Sequence, residues 1–245
     1  MPKLTKRERL ELRLKEIRRM RIIISLATFT TILAFMLSIP VFGHQRELAA
    51  ARLEHEQLLK QLSYDTDKHA ELRQINPDYV GWLEIGCPDQ DCMIVDTPVV
   101  RGDDNERYLD TTFAGTTNKI GSLFMDYRVE TDSPHLIIYG HNLCSGDKFG
   151  KLRNYLNERY LSKHPTITFR VDGEIRVYEI FSVRKSDIND PAYHLDFRGS
   201  SPETTFAAFL ERNNAPKNAR QILTLSTCVG TNTPDERLII QAFIR

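Results

Sequence analysis

Eight short apolar segments follow one another from residue 82 onward, and they constrain the fold more than any other feature of the sequence. Each is rich in Ile, Val, Leu, Phe or Thr, a composition that favours β-strands. The segments are 82–85, 93–100, 121–126, 135–140, 166–171, 174–185, 221–228 and 237–244. Two amphipathic stretches, 148–163 and 202–213, favour helices instead. Many strands with few helices predict a mainly β domain that closes into a barrel.

The first 43 residues differ in composition from this domain. Residues 1–21 carry nine Lys or Arg and three Glu, a net charge of +6, although the whole chain balances 33 basic against 33 acidic residues. Residues 22–43 contain no charged residue, and a transmembrane helix needs about 20 apolar residues. The basic flank predicts a cytoplasmic tail, so that the chain crosses a cell membrane once and the rest lies outside. A cleaved signal peptide is the alternative.

Between the predicted membrane anchor and the domain, residues 44–74 mix Leu with Glu, Arg and Lys. This pattern predicts an exposed helix, either a stalk that lifts the domain from the membrane or an N-terminal helix packed on it. The domain then covers residues 75–245. Because the chain is neutral overall, its charge gives no reason to expect a nucleic-acid partner.

Three reactive side chains lie at the ends of predicted strands. The strand Leu223–Cys228 ends on a thiol, and the next strand begins at Arg237. The apolar run 136–139 is followed by a glycine and then His141. Taken singly, these are ordinary features: a packed thiol, an arginine paired with a neighbouring acid, and a core histidine. Taken together, a thiol, a proton carrier and a fixed cation are what nucleophilic thiol catalysis requires.

These residues belong to an ordered series of motifs that resembles the sortases, the cysteine transpeptidases of Gram-positive cell surfaces. The motifs are Val80–Ile85, Thr97–Val100, Asp104–Leu109, Gly121–Asp126, Tyr139–Asn142 and Thr224–Cys228, followed by Arg237. The resemblance covers residues 75 to 245. The serine in Leu225–Cys228 and the long segment between His141 and Cys228 resemble class B. The resemblance implies a closed eight-stranded sortase barrel with a few peripheral helices.

The resemblance also implies roles for individual residues. Cys228 is expected to be the nucleophile, His141 the general acid and base, and Arg237 the cation that holds substrate and oxyanion. Five residues match the substrate groove, with ordinary barrel packing as the alternative for each: Asn105, Leu109, Tyr139, Ser226 and Tyr193. Val229 stands where some relatives have a polar residue and is assigned no role. No cofactor and no metal are expected.

By the same resemblance, the chain is expected to cleave the C-terminal sorting signal of a secreted protein after a Thr. A thioester on Cys228 would then pass the protein to an amine of a peptidoglycan precursor. Three alternatives stay open at this point. They are a sortase that polymerises pilins through a lysine amine, a thiol protease that hydrolyses the same peptide, and a membrane-tethered adaptor in which Cys228 is structural.

The other three cysteines have no catalytic assignment. Cys87 and Cys92 flank a short predicted loop, where both a disulfide and two free thiols are chemically permitted outside the cell. Cys144 comes three residues after His141. That spacing could indicate a metal pair, but a zinc site usually needs at least three protein ligands.

Overall fold

The computed structural model describes residues 68–86, 93–171, 173–197, 202–230 and 235–245, together with positions 13, 15, 16, 18–33, 36, 46, 49, 50 and 53. The chain divides into two units, Met1–Ala50 and Ala51–Arg245. In the first unit, residues 18–33 are helical and exposed. Within the described part of the chain, no helix is both long enough and apolar enough to cross a membrane. Positions 34, 35 and 37–43 of the predicted anchor, and most of the predicted 44–74 segment, lie outside the described residues.

The second unit contains a closed barrel of eight strands, as predicted. The strands are β1 (Tyr79–Ile85), β2 (Val95–Val100), β3 (Leu123–Met125), β4 (His135–Tyr139), β5 (Thr166–Val171), β6 (Glu174–Ser186), β7 (Gln221–Cys228) and β8 (Arg237–Ile244). Around the barrel they follow the order β1-β2-β3-β4-β7-β8-β6-β5, and β5 pairs with β1 to close it. All eight predicted strands are confirmed, with ends that differ by at most three residues.

The pairing of β4 with β7 determines where the strand ends meet. These two strands are parallel, as are β2 and β3, whereas the other neighbours are antiparallel. Parallel neighbours have their C-terminal ends at the same edge of the sheet. Because β7 lies between β4 and the antiparallel β8, its last residue lies beside the end of β4 and the start of β8.

In the described part of the second unit, three short α-helices accompany the barrel: α1 (Lys68–Ile75), α2 (Glu158–Lys163) and α3 (Phe206–Arg212). The described chain also has 3-10 helices at Arg107–Leu109, Leu152–Leu156, Pro191–Tyr193 and Pro202–Thr204. The helix predicted over 202–213 is present as α3, with Thr205 as its N-cap.

The prediction of one helix over 148–163 is wrong. The chain forms the 3-10 helix Leu152–Leu156, then breaks at Asn157, and only then forms α2. Asn157 is extended, with φ −95° and ψ 116°, and its side chain accepts hydrogen bonds from the backbone N–H groups of Arg159 and Tyr160. An N-cap of this kind starts a new helix and therefore interrupts the old one.

The barrel interior is one apolar cluster to which every strand contributes. Leu223 and Leu225 of β7 belong to it, so by alternation Thr224, Ser226 and Cys228 face outward. Part of this outer face is covered by a second cluster that includes Phe209 of α3. The sequence-predicted thiol therefore lies on the outer face of the barrel and not in its interior.

Candidate active site

Cys228 is the last residue of β7, and its thiol is free and exposed. Its direct partner across the ladder to β8 is Arg237. Directly opposite residues of an antiparallel pair have Cα atoms about 5 Å apart and side chains on the same face. The side chain of Arg237 therefore starts beside the thiol.

His141 lies on the other side of Cys228. The parallel register pairs Tyr139 with Ser226, so two residues further along both strands His141 is level with Cys228. Beyond the end of β4, the side-chain amide of Asn142 donates to the carbonyl of Cys228 at 2.8 Å and holds the two strand ends together. The three predicted catalytic residues thus lie at the ends of three adjacent strands.

Gly140 explains how His141 reaches this position. It continues the row of core-facing residues of β4, directly before the histidine. A Cβ at Gly140 would lie 2.2 Å from Cδ2 of Leu123 and 2.8 Å from Cδ2 of Phe149. Only glycine leaves room for the strand end to pack against the core here, and the next side chain then faces outward.

The ring of His141 is held by a backbone carbonyl. Its Nε2 lies 2.6 Å from the carbonyl oxygen of Leu109, at the end of the 3-10 helix Arg107–Leu109. Because a carbonyl only accepts, Nε2 carries the hydrogen, and Nδ1 has the lone pair when the ring is neutral. The side chain of Leu109 is 41% exposed. Leu109 thus contacts the histidine through its backbone while its side chain faces solvent.

Tyr193 reaches the site from the long β6–β7 connection. Its hydroxyl is 2.8 Å from Oγ of Ser226, two residues before the thiol. Burial raises the pKa of Tyr193, as do the charges of Asp190 and Cys228, whereas the Ser226 hydrogen bond and the charge of Arg237 oppose the shift. The phenol is therefore within electrostatic range of both Cys228 and Arg237.

Asn105 and Tyr139 meet at Asp126, a residue to which the sequence assigns no role. Asn105 Nδ2 and the Tyr139 hydroxyl each donate to Oδ2 of Asp126 at 3.0 Å. The carboxylate is fully buried and forms a two-pronged ion pair with Arg128, at 2.8 and 2.7 Å. Burial alone would raise the pKa of Asp126, but the Arg128 bonds and charge and the Tyr139 bond hold it below its ordinary value.

The eight predicted site residues are therefore connected across one region of the outer face. Two further residues belong to it, Asp126 and Asn142, and both lie inside motifs that carry the sequence resemblance. Their place in those motifs is the signal that could have identified them. Among the described residues, no three His, Cys, Asp or Glu are grouped so as to hold a metal ion. Cys87 and Cys92 lie outside the described residues, so their pairing stays a prediction.

A layer of hydrogen-bonded polar residues supports the segment that carries Tyr193. It comprises the buried residues His135, Thr224, Gln241 and Asp190 and the partly exposed Arg184. Nδ1 of His135 donates to the carbonyl of His194 at 2.9 Å, so Nε2 accepts from the Thr224 hydroxyl at 2.8 Å. Gln241 donates to the same hydroxyl at 3.3 Å and accepts from Arg184 at 2.8 Å. Arg184 then pairs with Asp190 at 3.0 and 2.6 Å, and Asp190 caps the 3-10 helix that carries Tyr193.

One member of this layer, His135, gives the stability of the fold a pH-dependent contribution. Burial lowers the pKa of His135 from 6.5 to about 4. Between these values the histidine binds a proton in the unfolded chain but not in the folded chain, so its contribution to the free energy of unfolding decreases as the pH falls from 6.5 towards 4. Burial raises the pKa of Glu84 to about 7, which changes stability in the opposite direction over this range, so the contribution of His135 is measured as a difference between variants. On going from pH 7 to pH 5, the urea midpoint of the wild type should fall relative to that of His135→Gln.

The matched control is His164→Gln, at the half-exposed C-cap of α2, which should keep the wild-type difference between the midpoints at pH 7 and pH 5. If His135→Gln has the same pH dependence as the wild type, His135 makes no such contribution.

A closed eight-stranded barrel that presents a thiol between a histidine and an arginine on its outer face is the arrangement of a cysteine transpeptidase. Comparison with known proteins agrees. Residues 87–244 match the Sortase domain family. Sortase B of Listeria monocytogenes is 32% identical over 188 residues, covering 71% of this chain and 73% of that protein. Sortase B of Staphylococcus aureus is 29% identical over 207 residues, covering 77% and 82%.

A solved structure gives the same result. The Staphylococcus aureus sortase B-substrate complex superposes with a TM-score of 0.68 at 25% identity, covering 82% of this chain and 98% of that one. The chain belongs to the sortase family, and within it to class B. It is therefore an enzyme of the transpeptidase type, from a family that acts on sorting signals and amine acceptors.

Proposed function

We propose that the thiol of Cys228 passes its proton to His141 and that the resulting thiolate attacks the carbonyl of a Thr in the C-terminal sorting signal of a secreted protein. The sulfur forms a bond to the carbonyl carbon, and the carbonyl electrons move to oxygen. When the oxyanion collapses, the C–N bond breaks, and the leaving amine takes a proton from His141. A thioester on Cys228 remains. The observation that carries this proposal is the alignment of Cys228 between His141 and Arg237 across adjacent strands.

Arg237 is assigned the role of stabilising the oxyanion. A guanidinium is always charged and presents a rigid fork of donors, which suits an oxygen that becomes negative beside Cys228. The backbone N–H of Val229, the residue after Cys228, donates to the carbonyl of Glu236 at 3.1 Å and is therefore already occupied. This bond supports the assignment of the oxyanion to the side chain of Arg237.

The peptide-binding groove is assigned to Asn105, Leu109, Tyr139, Ser226 and Tyr193. Their connected contacts around the thiol support this assignment, as does the existence of a substrate complex of the Staphylococcus aureus relative. Leu109 offers an exposed apolar side chain, and Tyr193 and Ser226 offer hydroxyl groups to a peptide backbone.

The acceptor is an amine of a peptidoglycan precursor. His141 takes a proton from this amine as nitrogen attacks the thioester, and the thiolate of Cys228 leaves as an amide forms. Anchoring in the cell membrane is part of the proposal. Residues 1–21 are the cytoplasmic tail, 22–43 the anchor, 44–74 the helical stalk or N-terminal helix, and 75–245 the external catalytic domain. The charge distribution of the first 43 residues supports it.

The test uses the purified full chain with a library of Thr-containing sorting peptides. Mass spectrometry should detect a thioester adduct on Cys228, and cleavage without an amine should be slow. Glycine oligomers or diaminopimelate-bearing stem peptides should divert the product to an amide. A bound amine can do this against water at about 55 M, because positioned groups reach effective molarities of roughly 10⁵ M or more.

The other outcomes identify the other functions. Fast cleavage that gives only the free acid with every amine would make the chain a thiol protease. Transfer to a pilin lysine alone would make it a pilin-polymerising sortase. If no peptide forms an adduct and the thiol stays inert, Cys228 is structural.

A further inference from the structure

Asp126 is a fully buried carboxylate whose Oδ2 accepts three hydrogen bonds. The donors are Nη2 of Arg128 at 2.7 Å, Nδ2 of Asn105 at 3.0 Å and the hydroxyl of Tyr139 at 3.0 Å. Of these three donors, only Arg128 lies in the same segment as Asp126, the one that follows β3. The other two come from separate parts of the chain, the motif 104–109 and the end of β4. Asp126 therefore joins two residues that the proposed function places in the substrate groove.

The orientation of the Asn105 amide follows from its two partners. Its Oδ1 accepts from the backbone N–H of Tyr127 at 3.1 Å, while its Nδ2 donates to Asp126. An ionised carboxylate only accepts and a backbone N–H only donates, so the amide has one satisfactory orientation. The amide nitrogen has two hydrogens, and these contacts use one of them. The second is fixed in direction by the same two bonds.

We propose that Asp126 is a positioning residue of the sortase reaction, which fixes the Asn105 amide so that its second N–H donates to a backbone carbonyl of the bound peptide. The inference rests on the proposed function, because that function assigns Asn105 to the groove. The inference distinguishes two roles. Asn105 contacts the substrate, and Asp126 determines which group Asn105 presents.

The charge of Asp126 is what makes this fixation effective. A neutral amide at position 126 would put an NH₂ group in place of one carboxylate oxygen. On the Oδ2 side this NH₂ would face the donors of Arg128, Asn105 and Tyr139. On the Oδ1 side it would face the backbone N–H and Nε of Arg128. With the NH₂ on the Oδ2 side, Asn105 faces a donor at position 126 and another at the Tyr127 N–H, and no orientation of its amide satisfies both. With the NH₂ on the Oδ1 side, the oxygen still accepts from Asn105, but two donors of Arg128 face the NH₂ and the ion pair that holds position 126 in place is lost.

The test compares Asp126→Asn with the wild type in the full chain, using the Thr-containing peptide that the wild type cleaves best. We expect KM to rise about tenfold, the order of effect of a buried hydrogen-bond donor left without its acceptor, with kcat within about threefold. The matched control is Glu84→Gln. Glu84 forms a similar two-pronged pair with Arg170, at 2.9 and 3.2 Å, on strands across the barrel from β4 and β7. The KM of Glu84→Gln should equal that of the wild type.

A double-mutant cycle separates positioning from general loss of structure. In an Asn105→Ala background, Asp126→Asn should change KM by less than about twofold, because the group it positions is absent. Equal effects of Asp126→Asn in both backgrounds would overturn the proposal. So would equal KM values for Asp126→Asn and the wild type.

A second measurement does not depend on the folding of Asp126→Asn. In the Cys228→Ala full chain, saturation with the peptide should shift the side-chain amide resonances of Asn105 in the NMR spectrum. Unshifted resonances in a chain that binds the peptide would also overturn the proposal. Failure of the proposed function itself is distinct, because the wild type would then form no thioester.

Discussion

Replacement of Cys228 with alanine is expected to abolish both cleavage and transfer while the barrel stays folded. The thiol is exposed at the end of β7, so its loss leaves no cavity in the core. Without the sulfur no thioester can form, and neither His141 nor Arg237 can substitute for a nucleophile. Loss of the nucleophile in a covalent enzyme lowers kcat by a factor on the order of 10⁶. Single-turnover assays with mass spectrometry of the enzyme measure both peptide cleavage and the missing adduct.

The control for this variant is Cys144→Ala. Cys144 is the other exposed free cysteine of the described chain, and no described contact links it to the site. Its removal should leave both activities at the wild-type level. If Cys228→Ala still cleaves the peptide, the thiol mechanism is wrong, whatever Cys144→Ala does.

Replacement of Arg237 with lysine should lower kcat by about 10² to 10³ with the fold unchanged, the loss that follows removal of one oxyanion donor. Lysine keeps the charge opposite Cys228 but presents a single ammonium group in place of a planar fork. The binding of peptide should change less than turnover. Measurement of kcat and KM separately, together with the urea midpoint, distinguishes this result from a loss of stability.

Arg170→Lys is the matched control for Arg237→Lys. Arg170 forms a two-pronged pair with Glu84 on β1 and β5, away from the thiol. Its replacement should leave kcat unchanged. If the kcat of Arg237→Lys is within about twofold of the wild type, Arg237 has only a structural role at the start of β8, as its local sequence would suggest.

The barrel strands could be predicted because each contributes alternate residues to a single apolar core. In β7, Leu223 and Leu225 enter the core while Ser226 faces out, and this alternation is visible in the sequence. The break at Asn157 could not be predicted in the same way. The amphipathic spacing continues across it, and the residue that ends one helix acts through a side-chain cap on the next.

The sequence predicts which residues form the candidate site, but it does not predict how they are arranged. Cys228, His141 and Arg237 stand out by their motifs, but local sequence does not reveal that β4 pairs in parallel with β7. That pairing joins segments 86 residues apart, as the bond from Asn142 to Cys228 illustrates. Asp126 was missed for a related reason, because its partners Asn105 and Tyr139 belong to different segments.

The parallel pairing of β4 with β7 also has a consequence for folding. A contact between segments so distant in sequence is delayed by the entropy of closing the intervening loop, and parallel pairing forms slowly for the same reason. Until β7 enters the sheet, Cys228 has neither the histidine nor the arginine beside it and is an ordinary thiol. Under the proposed mechanism, the site around Cys228 is therefore complete only once the barrel has closed.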